Sequence, residues 1–254
     1  MSASRIIFDN VVQRFRVIRE RPDTLREVFA RVLHRRSQSI DFTALKRVSF
    51  HIGDGQSVGI IGRNGSGKST LLKLIAGVYR PSSGTVTVSG RVGALIELAA
   101  GFHPDLTGRE NIELNGLLLG ISRKEIRRRE AAIVEFAELG DFIDTPVKQY
   151  SSGMYMRLGF AIAAQLDADI LLLDEILAVG DLAFQQKCLE RIYELQANGK
   201  TIVLVSHDLN AIRQLCRRVL LIESGGIAAD GGPSEVLPLY QTMMQQPSTV
   251  VDSM

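Results

Sequence analysis

The sequence predicts an α/β fold, a parallel sheet covered by helices, with mixed sheet at one edge and a helical subdomain inserted into the core. Short apolar runs rich in β-branched residues recur at Ser57 to Ile61, Ile170 to Leu173, Thr201 to Val205 and Val219 to Ile222. Longer helical patterns and glycine-containing turns separate them, as a buried parallel sheet with crossover helices requires. Between about Leu106 and Leu166 the pattern turns mostly helical. The 254 residues read as a single domain, with 1–96 and 167–254 as the α/β core and 97–166 as the helical subdomain.

Composition narrows the class of protein. Forty-five per cent apolar and 23% charged residues describe a globular chain with material for a sizeable core. Thirty Lys and Arg against 28 Asp and Glu leave +2, too little to draw nucleic acid by bulk electrostatics, and no nucleic-acid partner is expected. Cys188 and Cys216 form no CxxC pair, and they read as buried, reduced thiols. The opening residues Met1 to Asn10 lack the basic-then-apolar pattern of a secretory leader, so none is expected, and no run approaches the roughly 18 apolar residues of a membrane span.

The first distinctive element is residues 24–36, where Leu25, Val28, Phe29, Val32 and Leu33 follow an amphipathic helical stripe and Thr24 with Glu27 supplies a capping box. Arg19, Arg21, Arg26, Arg31, Arg35 and Arg36 flank it or cover its other face. Such a helix suits anionic lipid head groups or, equally, the protein's own core.

Next comes the strand at Ser57, leading into Gly62-Arg63-Asn64-Gly65-Ser66-Gly67-Lys68-Ser69 and the helical run Thr70 to Ala76. This is the phosphate-binding pattern GxxxxGK[ST] in its strand-to-helix setting. Its glycines let backbone N–H groups close around phosphate oxygens, the helix N-terminus adds positive potential, Lys68 reaches β and γ phosphates, and Ser69 serves magnesium. After the turn Pro81 to Gly84, alternation over Thr85 to Ser89 predicts an antiparallel edge strand. In the helical subdomain Lys124, Arg127, Arg128 and Arg129, interleaved with Glu125 and Glu130, read as a solvated face.

Two later strands end in chemistry. Ile170 to Leu173 runs into Asp174, suited to hold magnesium, and Glu175, suited to activate a water against the γ phosphate. Val203 to Ser206 runs into His207, a candidate sensor of the γ phosphate at the same sheet edge. The uncharged run Val236 to Val251, broken by Pro238 and Pro247, reads as a tail, although a short helical run reaches Met244.

Tyr150-Ser151-Ser152-Gly153-Met154, with the helix that follows, resembles the signature motif of ATP-binding-cassette ATPases, and the likeness extends over about Ile6 to Tyr240. Glu97 to Pro104, Leu106 to Asn111 and Leu177 to Asp181 resemble the ATPase subunits of bacterial polysaccharide exporters for O-antigen, galactan, capsule and teichoic acid. The resemblance implies ATP hydrolysis with Mg2+ in a head-to-tail homodimer, in which Ser151 and Gly153 reach the ATP held by Gly62, Asn64, Gly65, Ser66, Gly67, Lys68, Ser69 and Thr70 of the other copy. It implies two integral membrane permease subunits, a lipid-linked polysaccharide as cargo, and a peripheral place on the cytoplasmic face of the bacterial inner membrane. Asp181 would communicate between sites, Glu97 would stand where the family has a metal-linking glutamine, and Phe15 would stack on adenine or serve as a core phenylalanine. Tyr150, Ser152 and Met154 depart from the family's Leu-Ser-Gly-Gly-Gln.

The other classes weighed are importer or drug-exporter ATPases, which share the hydrolytic core, and non-transport relatives of DNA repair or translation. The latter would bring a long coiled coil, duplicated heads or two phosphate loops, and the sequence has one such loop. After Gly226 there is no room for the ~100 residues of a sugar-binding β-sandwich, so the chain alone is expected not to bind polymer.

Overall fold

The computed structural model describes residues 4–18, 39–94, 102–118, 120–165, 168–174 and 181–245. The amphipathic stretch 24–36, Glu97 and Glu175 lie outside the described residues. Two sheets organise the rest. Strands β1 (Ser4–Ile18), β2 (Ser39–Gly53) and β4 (Ser83–Val88) form an antiparallel sheet in the order β2-β1-β4. A six-stranded sheet runs β5-β6-β7-β3-β8-β9, from β3 (Ser57–Ile61), β5 (Val92–Ala94), β6 (Ile170–Asp174), β7 (Thr201–Val205), β8 (Arg218–Glu223) and β9 (Gly226–Gly231). All its pairings are parallel except β8 with β9.

Side chains alternate across this sheet, so each strand feeds two cores. Ile170, Leu172, Val203, Val205, Leu220 and Ile222 face one core with α1 (Lys68–Ile75) and the inner faces of β1 and β2. Leu171, Leu173, Ile202, Leu204, Val219 and Leu221 face the other. The second core is covered by α2 (Gly108–Leu118), α3 (Arg123–Ala137), α4 (Ser152–Gln165), α5 (Leu182–Ala197), α6 (Leu209–Leu215) and α7 (Pro233–Gln245). Both faces being buried explains why the parallel strands read as unbroken apolar runs.

The segment between β5 and β6 is helical, as its pattern predicts. A capping box starts α2: the Thr107 amide donates to Glu110 Oε2 at 2.8 Å and the Glu110 amide donates to Thr107 Oγ1 at 3.2 Å. On α3, Lys124, Arg127 and Arg128 are exposed as expected, whereas Arg129 is half-buried and donates to Glu125 and to the Gln165 carbonyl. The tail expectation needs correction. Residues Val236 to Gln245 belong to α7, which buries Val236, Leu237 and Tyr240 despite Pro238 in its second turn. The helix packs against β8, β9 and α6. Among the described residues, no helix is long and apolar enough to cross a membrane.

Candidate nucleotide site

Strand order brings the chemistry together. Strands β6, β7 and β3 are consecutive neighbours, with Asp174 beside Val205 and Val205 beside Ile60, so the ends carrying Asp174, His207 and the phosphate loop meet at one carboxyl edge. Open α/β sheets bind ligands at that edge. A cavity of about 340 Å³ lies there, lined by Asn64, Gly65, Gly67, Lys68, Ser69, Thr70, Asp174 and His207, with Phe42, Ala44 and Val205. A larger groove of about 570 Å³, containing Tyr193 and Arg217, sits at the amino edge and holds none of these groups.

The loop between β3 and α1 is shaped by its backbone. Gly67 has φ +113°, and a Cβ there would lie 2.8 Å from the Ala44 carbonyl oxygen. Gly65 has φ +77° with no atom within 4 Å of where its Cβ would stand, so its conformation, not crowding, calls for glycine. Helix α1 begins at Gly67 with no side-chain cap and no acidic residue in its first turn. Its first amides and its dipole are thus left for an anion.

Lys68 is buried, and its Nζ donates to the carbonyls of Gly62 at 2.8 Å and Arg63 at 3.1 Å. These are partners an ammonium exchanges readily for phosphate oxygens. The Ser69 hydroxyl and Asp174 carboxylate share the cavity, an oxygen pair of the kind magnesium takes alongside phosphates and water. The residues therefore fit a magnesium nucleotide. His207 is exposed just beyond β7 and lines the same cavity.

Gly62 and Ser66 are buried behind the loop and support it without lining the cavity. Phe15 is also absent from the lining; its ring packs edge-on against Tyr79 with centroids 5.3 Å apart. Directly opposite it in the β1–β2 register is Phe42, half exposed, which does line the cavity. Sequence reasoning missed Phe42 because a lone aromatic among Asp41 and Thr43 shows no motif.

Ser151 and Gly153 stand elsewhere, at the start of α4, outside the cavity lining. The Ser151 hydroxyl accepts the Met154 amide at 3.2 Å. A Cβ at Gly153 would meet only Ser151 Oγ, at 3.9 Å, so no contact among the described residues requires glycine there. The departure at Tyr150 has an internal explanation. Its hydroxyl donates to the Phe142 carbonyl at 2.7 Å, and a Cβ on Gly108 would lie 2.3 Å from that oxygen, so Tyr150 and Gly108 are matched.

From Tyr150 the signature helix continues to Arg157, which pairs with Glu138 at 2.9 Å and Asp181 at 2.8 Å and lies over the Phe184 ring. Asp181 caps α5 by accepting the Phe184 amide at 2.9 Å. That amide first, and Arg157 beside it, hold its carboxyl below the usual range.

A family model described as ABC transporter matches residues 45–178. The chain is 50% identical over 245 residues to the O-antigen export system ATP-binding protein RfbB of Myxococcus xanthus, covering 94% of this chain and 56% of that one. It is also 50% identical over 203 residues to the protein of the same name from Klebsiella pneumoniae, covering 80% of this chain and 82% of that one. Among solved structures, a dimeric bacterial ABC transporter cassette superposes with TM-score 0.72 at 25% identity, over 90% of this chain and 98% of that one. The match over more than half the chain, and the 50% identity to a relative it largely spans, show that this chain belongs to the ABC transporter family as an ATP-binding protein.

Proposed function

We propose that the chain is the ATPase subunit of an exporter of lipid-linked polysaccharide, working as a homodimer on two membrane permease subunits at the cytoplasmic face of the inner membrane. The observation that carries the ATPase part is the single cavity in which Lys68, Ser69, Asp174 and His207 converge. The polysaccharide part is supported by likeness to two proteins named for O-antigen export.

In this mechanism the phosphates bind the loop amides and the α1 N-terminus, and Lys68 leaves its carbonyl partners for the β and γ oxygens. Ser69 and Asp174 would hold magnesium, which when bound would neutralise charge on the phosphates. Glu175 takes a proton from the attacking water, and His207 donates a hydrogen bond to the γ phosphate as charge develops. Phe42 or Phe15 receives the adenine. Ser151 and Gly153 complete the site of the second copy, as the open space at Gly153 favours. Glu97 takes the sequence position at which the family has a metal-linking glutamine.

Two measurements test this. Glu175→Gln should lower steady-state ATP hydrolysis by on the order of 10²-fold or more while retaining ATP binding; near-normal turnover would sink the assignment. Expressed in a bacterium lacking its own O-antigen export ATPase but retaining the matching permease, it should restore surface polymer. Restored solute uptake instead would favour an importer.

A further inference from the structure

The phosphate loop is clasped by a part of the chain beyond the matched segment 45–178. Three contacts reach it from β8 onward. A Cβ on Gly62 would stand 2.2 Å from the Ile222 carbonyl oxygen, so the end of β8 closes on the loop's first residue. The Gly225 amide, in the β8–β9 turn, donates to the Ser66 carbonyl at 3.1 Å. The third contact is a side chain: Arg63 Nη2 donates to the Met243 carbonyl in the last turn of α7, at 2.5 Å.

That contact has a physical logic. The last carbonyls of a helix lack intrahelical partners and carry partial negative charge, so a guanidinium there is both satisfied and attracted. Helix α7 is seated by buried Val236, Leu237 and Tyr240, and so offers Arg63 an anchored acceptor. The Arg63 charge lies close enough to Tyr240 to oppose the burial that raises its phenol. Meanwhile the Arg63 carbonyl accepts from Lys68 Nζ and from the Ser66 amide at 3.2 Å. One residue therefore joins the phosphate-binding ammonium, through its backbone, to the end of α7, through its side chain.

We propose that Arg63 is a positioning residue: the last turn of α7 holds the phosphate loop in its anion-ready shape through the Arg63 guanidinium, and nucleotide binding is felt in return at the end of α7. The inference rests on the loop binding ATP. When Lys68 turns to phosphate, the loop gives up an internal tie, and the Arg63 link to α7 bears more of its restraint.

Fluorescent ATP-analogue titration and amide hydrogen exchange test it on the unaltered chain, on Arg63→Ala, on Arg63→Lys, on a chain ending at Thr242, and on that shortened chain carrying Arg63→Ala. The shortened chain lacks the Met243 carbonyl but keeps Val236, Leu237 and Tyr240. Arg63→Ala should weaken binding about fivefold to tenfold, less than the full worth of a charge-assisted hydrogen bond because the link acts on affinity only through the shape of the loop, with Arg63→Lys intermediate. The shortened chain should show the same loss, and Arg63→Ala should add nothing further to it. ATP should slow exchange in the last turn of α7 in the unaltered chain and leave it unchanged in Arg63→Ala. Unaltered affinity in both single variants, additive losses, or an ATP response that persists without the guanidinium would overturn the inference. Failure of the unaltered chain to bind nucleotide would instead overturn the ATPase function, and this coupling with it.

Discussion

Replacing Asn111 should separate a scaffold role from a chemical one in the segment that most resembles polysaccharide exporters. The side chain is fully buried. Its Oδ1 accepts the His103 amide at 2.8 Å, and its Nδ2 faces the carbonyls of His103, Leu106 and Thr107 at 3.2, 3.1 and 2.9 Å. Two amide hydrogens serve three acceptors, so at least one bond is shared. Each carbonyl also accepts a backbone amide, from Leu106, Val147 and Asn111 respectively. In Asn111→Ala the group left without a partner is therefore the His103 N–H, and the cost should be about 2–3 kcal/mol including the lost packing. For a chain of this size that lowers the thermal midpoint by about 4–12 °C. Asn111→Asp keeps the acceptor but turns a carboxylate oxygen toward three carbonyls, so at pH 7.5 it should be less stable than the alanine variant. Burial and those carbonyls raise the folded pKa of such a carboxyl above its unfolded value. Its stability deficit should therefore shrink as pH falls toward 5 and return as pH rises. Scanning calorimetry at both pH values reads this, with nucleotide affinity unchanged because Asn111 does not line the cavity. An alanine variant melting with the parent, or an aspartate variant at least as stable as alanine at pH 7.5, would refute the reasoning.

Gly67→Ala should weaken nucleotide binding by at least about tenfold in calorimetric titration, because its Cβ meets the Ala44 oxygen and Leu45 Cδ2 in a left-handed conformation; unchanged affinity would contradict the fit of the loop. Phe42→Ala should cost about tenfold in fluorescent-nucleotide affinity, the scale of aromatic stacking on a base. Phe15→Ala should instead lower thermal stability through Tyr79, and the reverse order would restore Phe15 as the stacking residue. Burial pushes the thiols of Cys188 and Cys216 up to about 12, so thiolate is scarce below that pH. Iodoacetamide at pH 8 should leave both unmodified in the folded chain and modify both in denaturant; labelling of folded protein would show that a core opens.

Much of this site is legible in sequence because the parallel strands are buried on both faces and end where the chemistry begins. An apolar run that stops at Asp174, or at Ser206 before His207, marks both an element and its functional edge. Strands β1 and β2 hide better. Their pairing shifts register between Phe8 and Val11 and again near Gln13, and Asn10 and Arg47 adopt left-handed φ of 49° and 52°. Each such irregularity breaks the two-residue period on which strand reading depends. Phe42 escapes for a different reason: it belongs to no motif, and its value as a cavity wall comes only from the register opposite Phe15. Helix α7 hides differently. Proline in its second turn and the lack of charge mimic a tail, and only the packing of Val236, Leu237 and Tyr240 reveals a helix.

The segments that look most diagnostic of a subgroup turn out to be largely internal fittings. Glu110 caps the helix that Thr107 begins, Asn111 ties down the preceding loop, Gly108 makes room for Tyr150, and Arg109 clamps Asp144 and Glu130. None of these residues lines the cavity. What they fix is the scaffold around the signature helix: Tyr150 precedes that helix, and Arg157 within it grips Asp181 at the start of α5. Because Arg157 also pairs with Glu138 and overlies Phe184, α3, α4 and α5 are tied at one point. The helix that begins beside Ser151 and Gly153 is thus joined through Arg157 to Asp181. These residues thus mount the helix that follows Tyr150, whereas the groups proposed for phosphate chemistry line the cavity at the loop, Asp174 and His207.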